Sequence, residues 1–145
     1  MVEYYKKIPN YDTISTIPEE NANYIKEALP NVTDCGYMLR SCHELTSVDT
    51  TGWDVSNVTN MSYMFSNCYK LEGKGLEHWD VSNVTDMACM FVGCENFNCD
   101  LSYWYVSNVT DMDNMFVNCK KFNCDLSDWN ISNITRWKNM FGGCH

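Results

Sequence analysis

Nine cysteines in 145 residues are the part of this chain that most resembles chemistry. Cys94-x4-Cys99 and Cys119-x4-Cys124 repeat one spacing, and His43 directly follows Cys42. Structural zinc sites use tighter pairs of the CxxC type, so these spacings fit a metal ligand set poorly. Small buried side chains placed at fixed positions of a structural repeat account for them better. A second candidate is a calcium ladder built from Asp100 and Asp125, joined by Asp54 and Asp80 beside tryptophans. These acids lack the ligand spacing of a calcium-binding loop. The Met-Phe pairs, such as Met90-Phe91 and Met115-Phe116, could serve a soft metal, but their spacing is that of a packed core. No Ser-His-Asp order, P-loop or glycine-rich phosphate loop is visible. The expectation is a non-enzymatic protein with no cofactor and no metal.

The elements that carry these residues are set by an internal repeat, which decides the architecture. Asn-Val/Ile-Thr recurs at Asn31, Asn57, Asn83, Asn108 and Asn133, at intervals of 26, 26, 25 and 25 residues. Cys42, Cys68, Cys94, Cys119 and Cys144 keep the same intervals, and Trp53, Trp79, Trp104 and Trp129 follow them. Cys to Trp is 11 residues in the two early units and 10 in the two later ones, so the additional residue lies there, in a bulge or wider turn.

Within NVTDMDNMFVNC, Met112, Met115, Phe116 and Cys119 fall at i, i+3, i+4 and i+7, the stripe of a short amphipathic helix. Thr110 reads as its N-cap, with Asp111 and Asp113 in the first turn. Phe122, Cys124 and Leu126 then alternate with polar residues, as do Trp129 and Ile131 after a Ser-Asp corner, which is strand spacing. Each unit is therefore expected to be a helix of about two turns plus two short strands. A helix that short is marginal alone, so units must stack. The fold class is a repeat solenoid, leucine-rich-repeat-like α/β, with strands in parallel ladders. Helices pack about 8–10 Å apart and strands about 4.8 Å, so the helical side should fan outward. Residues 1–30 do not repeat. Pro18 to Pro30 reads as an amphipathic helix that caps the solenoid of residues 31–145, about four and a half units.

The recurring W-D-V-S-N-V-T-x-M-x-x-M-F-x-x-C-x-x-F-N-x-D-L-S resembles the BspA-like leucine-rich-repeat surface proteins. More closely, it resembles the mycoplasma-type lipoprotein repeat known as a domain of unknown function, found also in large DNA viruses and some protists. The resemblance covers residues 31–145. It implies a leucine-rich-repeat-like solenoid used for adhesion or protein binding, and it implies no catalytic residues.

A net charge of −9, from 19 acidic and 10 basic residues, argues against nucleic acid as a partner. No apolar run reaches the ~20 residues of a membrane span, so no membrane insertion is expected. The start MVEYYKKIPNYD shows neither a signal peptide nor a lipobox. A cytoplasmic or virion setting is expected on that ground, with the cell surface as the alternative if a leader has been removed. In such a setting the odd set of cysteines should be free thiols. Cys89, standing where neighbouring units have Tyr63 and Asn114, should be the exposed one. Seven N-x-S/T sequons, mostly in the repeated turn, matter only in a secretory path.

Two rows flanking the tryptophans vary between units: Gly52, His78, Tyr103 and Asp128 in one, and Asp54, Asp80, Tyr105 and Asn130 in the other. A fixed frame with variable outward rows suits a protein partner, with Tyr103 and Tyr105 as aromatic anchors. The last unit places Trp137, Met140 and Phe141 at core phase and ends at His145. Arg136 and Lys138 there oppose Asp111 and Asp113 of the unit before. The edge from Trp129 to Ser132, with Trp129 and Ile131, is expected to be uncovered and to support association. Self-association through this end, in a structural or virion assembly protein, is the alternative function.

Overall fold

The backbone amides show how the units are built. In the computed structural model, which describes residues 1–144, alternate N–H groups of each Met-x-x-Met-Phe-x-x-Cys segment leave their own coil. Met61, Tyr63, Phe65 and Asn67 donate to the carbonyls of Asp86, Ala88, Met90 and Val92 at 2.9, 3.0, 3.0 and 2.6 Å. The residues between them turn back locally: Met64 N–H reaches Met61 O at 3.3 Å and Cys68 N–H reaches Phe65 O at 3.1 Å. The same pattern links residues 33–42, 59–68, 85–94, 110–119 and 135–144, here the first to fifth coils. Isolated parallel bridges join Asp34, Asn60, Asp86, Asp111 and Arg136 at the head of each coil.

The expected helix of each unit is therefore corrected to a run of tight turns. Two residues per coil hold left-handed backbone: Tyr63 and Asn67 at φ 59° and 62°, Cys89 and Gly93 at 58° and 77°, Asn114 and Asn118 at 59° and 61°. A left-handed residue breaks the helical ladder and points the next amides outward. A turn every four residues sends the first, fourth, fifth and eighth positions inward, as a helix would, so the same apolar stripe is carried by a different backbone. Thr110 is likewise not an N-cap; its hydroxyl donates to Thr85 O at 3.2 Å. The two expected strands per unit are corrected as well. Among the described residues the only β pairing is the row of single bridges, because adjacent coils touch through alternate amides and side chains. With sheet-like hydrogen bonds on the side expected to be helical, the reason for that side to fan outward disappears.

Side chains complete the stack. Phe65, Phe91, Phe116 and Phe141 form a ladder with ring centroids 5.7, 5.8 and 5.7 Å apart. Phe97 and Phe122 lie on it at 4.1 and 4.2 Å. Asn57, Asn83, Asn108 and Asn133 each reach back one coil to a backbone carbonyl at 2.7 Å, which explains the recurring Asn. The additional residue between Cys68 and Trp79 is absorbed by glycines at φ 91° (Gly73) and 102° (Gly75) before a 3₁₀ turn, Leu76–His78. A Cβ at Gly73 would strike the Phe97 ring.

Before the first coil, α1 (Glu19–Ala28) starts behind Pro18 with Glu19 and Glu20 in its first turn, and buries Ile25. A 3₁₀ turn, Leu29–Asn31, follows and buries Leu29. Another 3₁₀ turn, Tyr4–Lys7, buries Tyr4 and Tyr5, and Tyr5 N–H donates to Met38 O of the first coil at 2.8 Å. Among the described residues no helix is long and apolar enough to cross a membrane.

Candidate functional site

The rows flanking the tryptophans stand where each coil leaves its core. Trp53 and Trp79 stack at 6.4 Å, and Trp104 and Trp129 lie tilted on Phe91 and Phe116 at 6.4 and 6.5 Å. Each indole is buried, so its two neighbours in the chain point out. Gly52, His78, Tyr103 and Asp128 are exposed, as are Asp54, Asp80, Tyr105 and Asn130. The placement of both rows on the surface agrees with their reading in the sequence.

Their chemistry is uneven. Asp54 and Asp80 each accept the backbone N–H and the hydroxyl of the serine two residues on, at 3.0 and 2.6 Å. The Ser56 hydroxyl and amide hold the Asp54 carboxyl below the ordinary carboxylate range. Asn130 makes the same turn through Ser132 N–H at 3.1 Å. These three side chains therefore shape the turn before they meet any partner. Tyr105 occupies the same position and has no carbonyl or carboxyl with which to make that bond. It is 60% exposed, and Tyr103, two residues earlier, is 86% exposed. No packing or hydrogen bond of the fold asks for a phenol at either place.

The cysteines are structural in placement. The thiols of Cys68, Cys94, Cys119 and Cys144 donate to Leu39, Phe65, Phe91 and Phe116 carbonyls one coil back, at 3.2, 3.1, 3.0 and 3.0 Å. Burial pushes the Cys35, Cys42 and Cys119 thiols up to about 12. Cys89 corrects the sequence reading: its side chain is buried, in line with the stacked Tyr37 and Tyr63 rings, whose centroids are 4.6 Å apart. Cys124 and Cys144 are the half-buried ones. A shallow hollow is lined by Asn98, Cys99, Asp100, Asn123, Cys124 and Asp128. Among the described residues no three His, Cys, Asp or Glu side chains converge as metal ligands.

At the C-terminal end the sequence reading is half corrected. Trp129 is buried, and its indole N–H donates to Leu101 O at 2.8 Å, so it cannot be an exposed association residue. Ile131 is 42% exposed, and Trp137 and Phe141, which keep core phase, are 63% and 50% exposed. The Arg136 guanidinium meets Asp113 at 2.8 Å and Asp111 at 3.3 Å, the charge pairing expected there. Lys138 joins through its backbone N–H to Asp113, at 2.7 Å, instead of through its ammonium. His145 lies outside the described residues. What the sequence reading missed are the left-handed positions; the Asn or Gly directly before each of the last four coil cysteines (Asn67, Gly93, Asn118, Gly143) was the available signal.

Comparison with known proteins agrees with this architecture. In fold, the chain is similar to a crystal structure of a leucine-rich repeat protein from Eubacterium ventriosum ATCC 27560, with a TM-score of 0.53 and 20% identity. That match covers 79% of this chain and 28% of the other, so the chain spans less than a third of that protein. A leucine rich cell surface protein from Faecalibacterium prausnitzii A2-165 aligns with a TM-score of 0.37 and 18% identity, over 75% of this chain and 30% of that one. No protein of curated function matches in sequence. A sequence model described as "Mycoplasma protein of unknown function, DUF285" matches residues 33–145, all five coils and everything between them. The chain belongs to the DUF285 family, and its coils build a stack similar in fold to that leucine-rich repeat protein.

Proposed function

We propose that the protein is a non-enzymatic interaction module that grips a protein partner through the row carrying Tyr103 and Tyr105. The observation that supports this reading is the pair of exposed phenols at positions where neighbouring coils have Gly52, His78 and Asp128, or the turn-forming Asp54, Asp80 and Asn130. Exposed tyrosines supply large contact area at low entropic cost and dominate many interfaces. His78, Asp54, Asp80, Asp128 and Asn130 form the polar rim of that surface. The acidic chain suits a protein partner and not nucleic acid. Affinity capture with the native chain and with Tyr103→Ala/Tyr105→Ala is the test. The double variant should fold with an unchanged melting temperature and lose the captured protein. Equal capture by both would reject the reading.

The alternative reading, a structural protein that associates with copies of itself, draws on the exposed Ile131, Trp137 and Phe141. Light scattering over a concentration series, with and without Ile131→Lys, separates it from the first. Mass that rises with concentration and falls in the variant would favour it.

A further inference from the structure

Tyr103 and Tyr105 lie in the longest stretch of the chain without a cationic side chain. Trp79 to Cys119 contains no lysine, arginine or histidine, and neither does Phe122 to Thr135. Asp111 and Asp113 in the first stretch are paired with Arg136. Asp80, Asp100, Asp125 and Asp128 stand exposed around the two phenols, and among the described residues none has a cation within ion-pair distance. His78, the row neighbour of Tyr103, approaches Glu77 at 3.8 Å.

Three of these carboxylates share one hollow. Asp100, Asp125 and Asp128 line a depression of about 430 Å³ between residues 98–102 and 123–128, and Ser102 on its rim is followed directly by Tyr103. Its walls are tied together: Asn123 N–H donates to Asn98 Oδ1 at 3.0 Å, and the Cys124 thiol to Asp100 Oδ1 at 3.6 Å. The Ser102 hydroxyl and N–H donate to Asp100 at 2.6 and 3.0 Å, and Ser127 N–H donates to Asp125 at 2.9 Å. These bonds hold both carboxyls below the ordinary carboxylate range, so both stay charged. Asp100, Tyr103 and Tyr105 have a coil on each side and are exposed all the same, so the outward face belongs to this phase of the repeat.

We infer that this surface takes an arginine side chain of the partner, its guanidinium among Asp100, Asp125 and Asp128 and its plane against the Tyr103 ring. The inference rests on the proposed function and names the chemistry of the partner at that surface. Three features select the occupant. Carboxylates of one sign without internal partners are complementary to a cation. They sit on separate turns, and among the described residues no three His, Cys, Asp or Glu side chains converge as metal ligands. A compact ion that needs close-set oxygens fits such a site poorly, whereas a planar fork with five donors spans it. The exposed phenol beside the hollow offers a face on which a guanidinium stacks and a lysine ammonium does not.

Nuclear magnetic resonance titration of the full chain with the peptide Gly-Arg-Gly-Arg-Gly reads both affinity and place, with Gly-Lys-Gly-Lys-Gly and Gly-Glu-Gly-Glu-Gly alongside. The arginine peptide should shift the signals of Ser102, Tyr103 and Asp128 and bind more tightly than the lysine peptide, and the glutamate peptide should shift none. Asp100→Asn/Asp125→Asn/Asp128→Asn should weaken the arginine peptide by about tenfold or more. Asparagine keeps such a turn, as Asn130 does with Ser132 N–H at 3.1 Å. Tyr103→Ala should weaken it by about threefold. No shift at these residues, or equal affinity in the triple variant, would overturn the inference. Binding of the lysine peptide as tight as that of the arginine peptide would overturn the guanidinium. Calcium chloride alone shifting the same signals in the native chain and not in the triple variant would overturn the choice of occupant. Affinity capture separates this inference from the reading beneath it. A partner lost by Tyr103→Ala/Tyr105→Ala but kept by the triple variant removes the arginine and leaves the proposed function standing. A partner kept by both removes the proposed function and the inference with it.

Discussion

The two ends of this stack treat their apolar residues in opposite ways. At the N-terminal end Tyr4, Tyr5, Ile8, Ile25 and Leu29 are buried over the first coil, and a backbone amide closes part of its carbonyl edge. At the C-terminal end Ile131, Trp137 and Phe141 stand exposed, and the Trp137, Asn139, Phe141 and Gly143 amides have no acceptor among the described residues. Between them, identical layers repeat with ring separations that vary by 0.1 Å along the phenylalanine ladder. A coil needs a neighbour on each side to satisfy its backbone and cover its core. The interior coils have two, the first coil has a non-repeating cover in place of one, and the fifth has one among the described residues. Burial at a given repeat phase is therefore a property of position in the stack, and equivalent residues should differ in energetic weight accordingly.

The sharpest way to break that comparison is to truncate one phase at two depths. Phe91→Ala removes a ring packed on Phe65, Phe97 and Phe116 and should cost about 3–5 kcal/mol in denaturant unfolding. Phe141→Ala, at the same phase with one stacked neighbour, should cost no more than about 1.5 kcal/mol. Equal costs would mean that the open end is covered in solution. A second pair compares the ends directly. Ile25→Ala should cost about 2–5 kcal/mol, whereas Ile131→Lys should stay within about 0.5 kcal/mol.

The buried thiols give a pH dependence that follows burial in the stack. Burial raises the Cys35, Cys42 and Cys119 thiols from 9.0 to about 12. An acid with a raised folded-state pKa contributes stability below its unfolded value that is lost as pH rises towards the folded one. Stability should thus fall between pH 9.0 and about 12, each such thiol steepening the loss by about 1.4 kcal/mol per pH unit. Urea midpoints across that range check the sign; a flat profile would show that the thiols are ionised or oxidised in the native state. Alkylation without reductant should label Cys124 and Cys144 first in the folded protein. After unfolding it should add nine groups, one for each cysteine.

The smallest expected effect separates early from late coils. Trp104 and Trp129 indole N–H groups donate to Leu76 and Leu101 carbonyls at 2.8 Å, whereas the buried Trp79 Nε1 has no partner among the described residues. Trp104→Phe should therefore cost about 0.5–1.5 kcal/mol more than Trp79→Phe, the net value of one hydrogen bond. Calorimetry of the two variants measures the difference, and a reversed order would contradict the hydrogen-bond account.

Much of this molecule is written in its residue pattern. The 25–26-residue beat places Phe65, Phe91 and Phe116, the coil cysteines and the tryptophans inside, and leaves Tyr103 and Tyr105 outside. Those assignments are local: they depend only on which positions share a phase. The path of the backbone is not local. A helix and a turn every four residues send the same Met, Met, Phe and Cys inward, and the choice between them is made by where the amides close. Here the acceptor of Tyr63 N–H is Ala88 O, one full repeat away, so the left-handed turn at Tyr63 is favoured only once the next coil is in place. The same dependence buries Cys89, which its place between Tyr63 and Asn114 in the repeat marks as outward. Composition and periodicity specify which residues meet; hydrogen bonds between coils, each satisfied by residues about 25 positions apart, decide the backbone that brings them together.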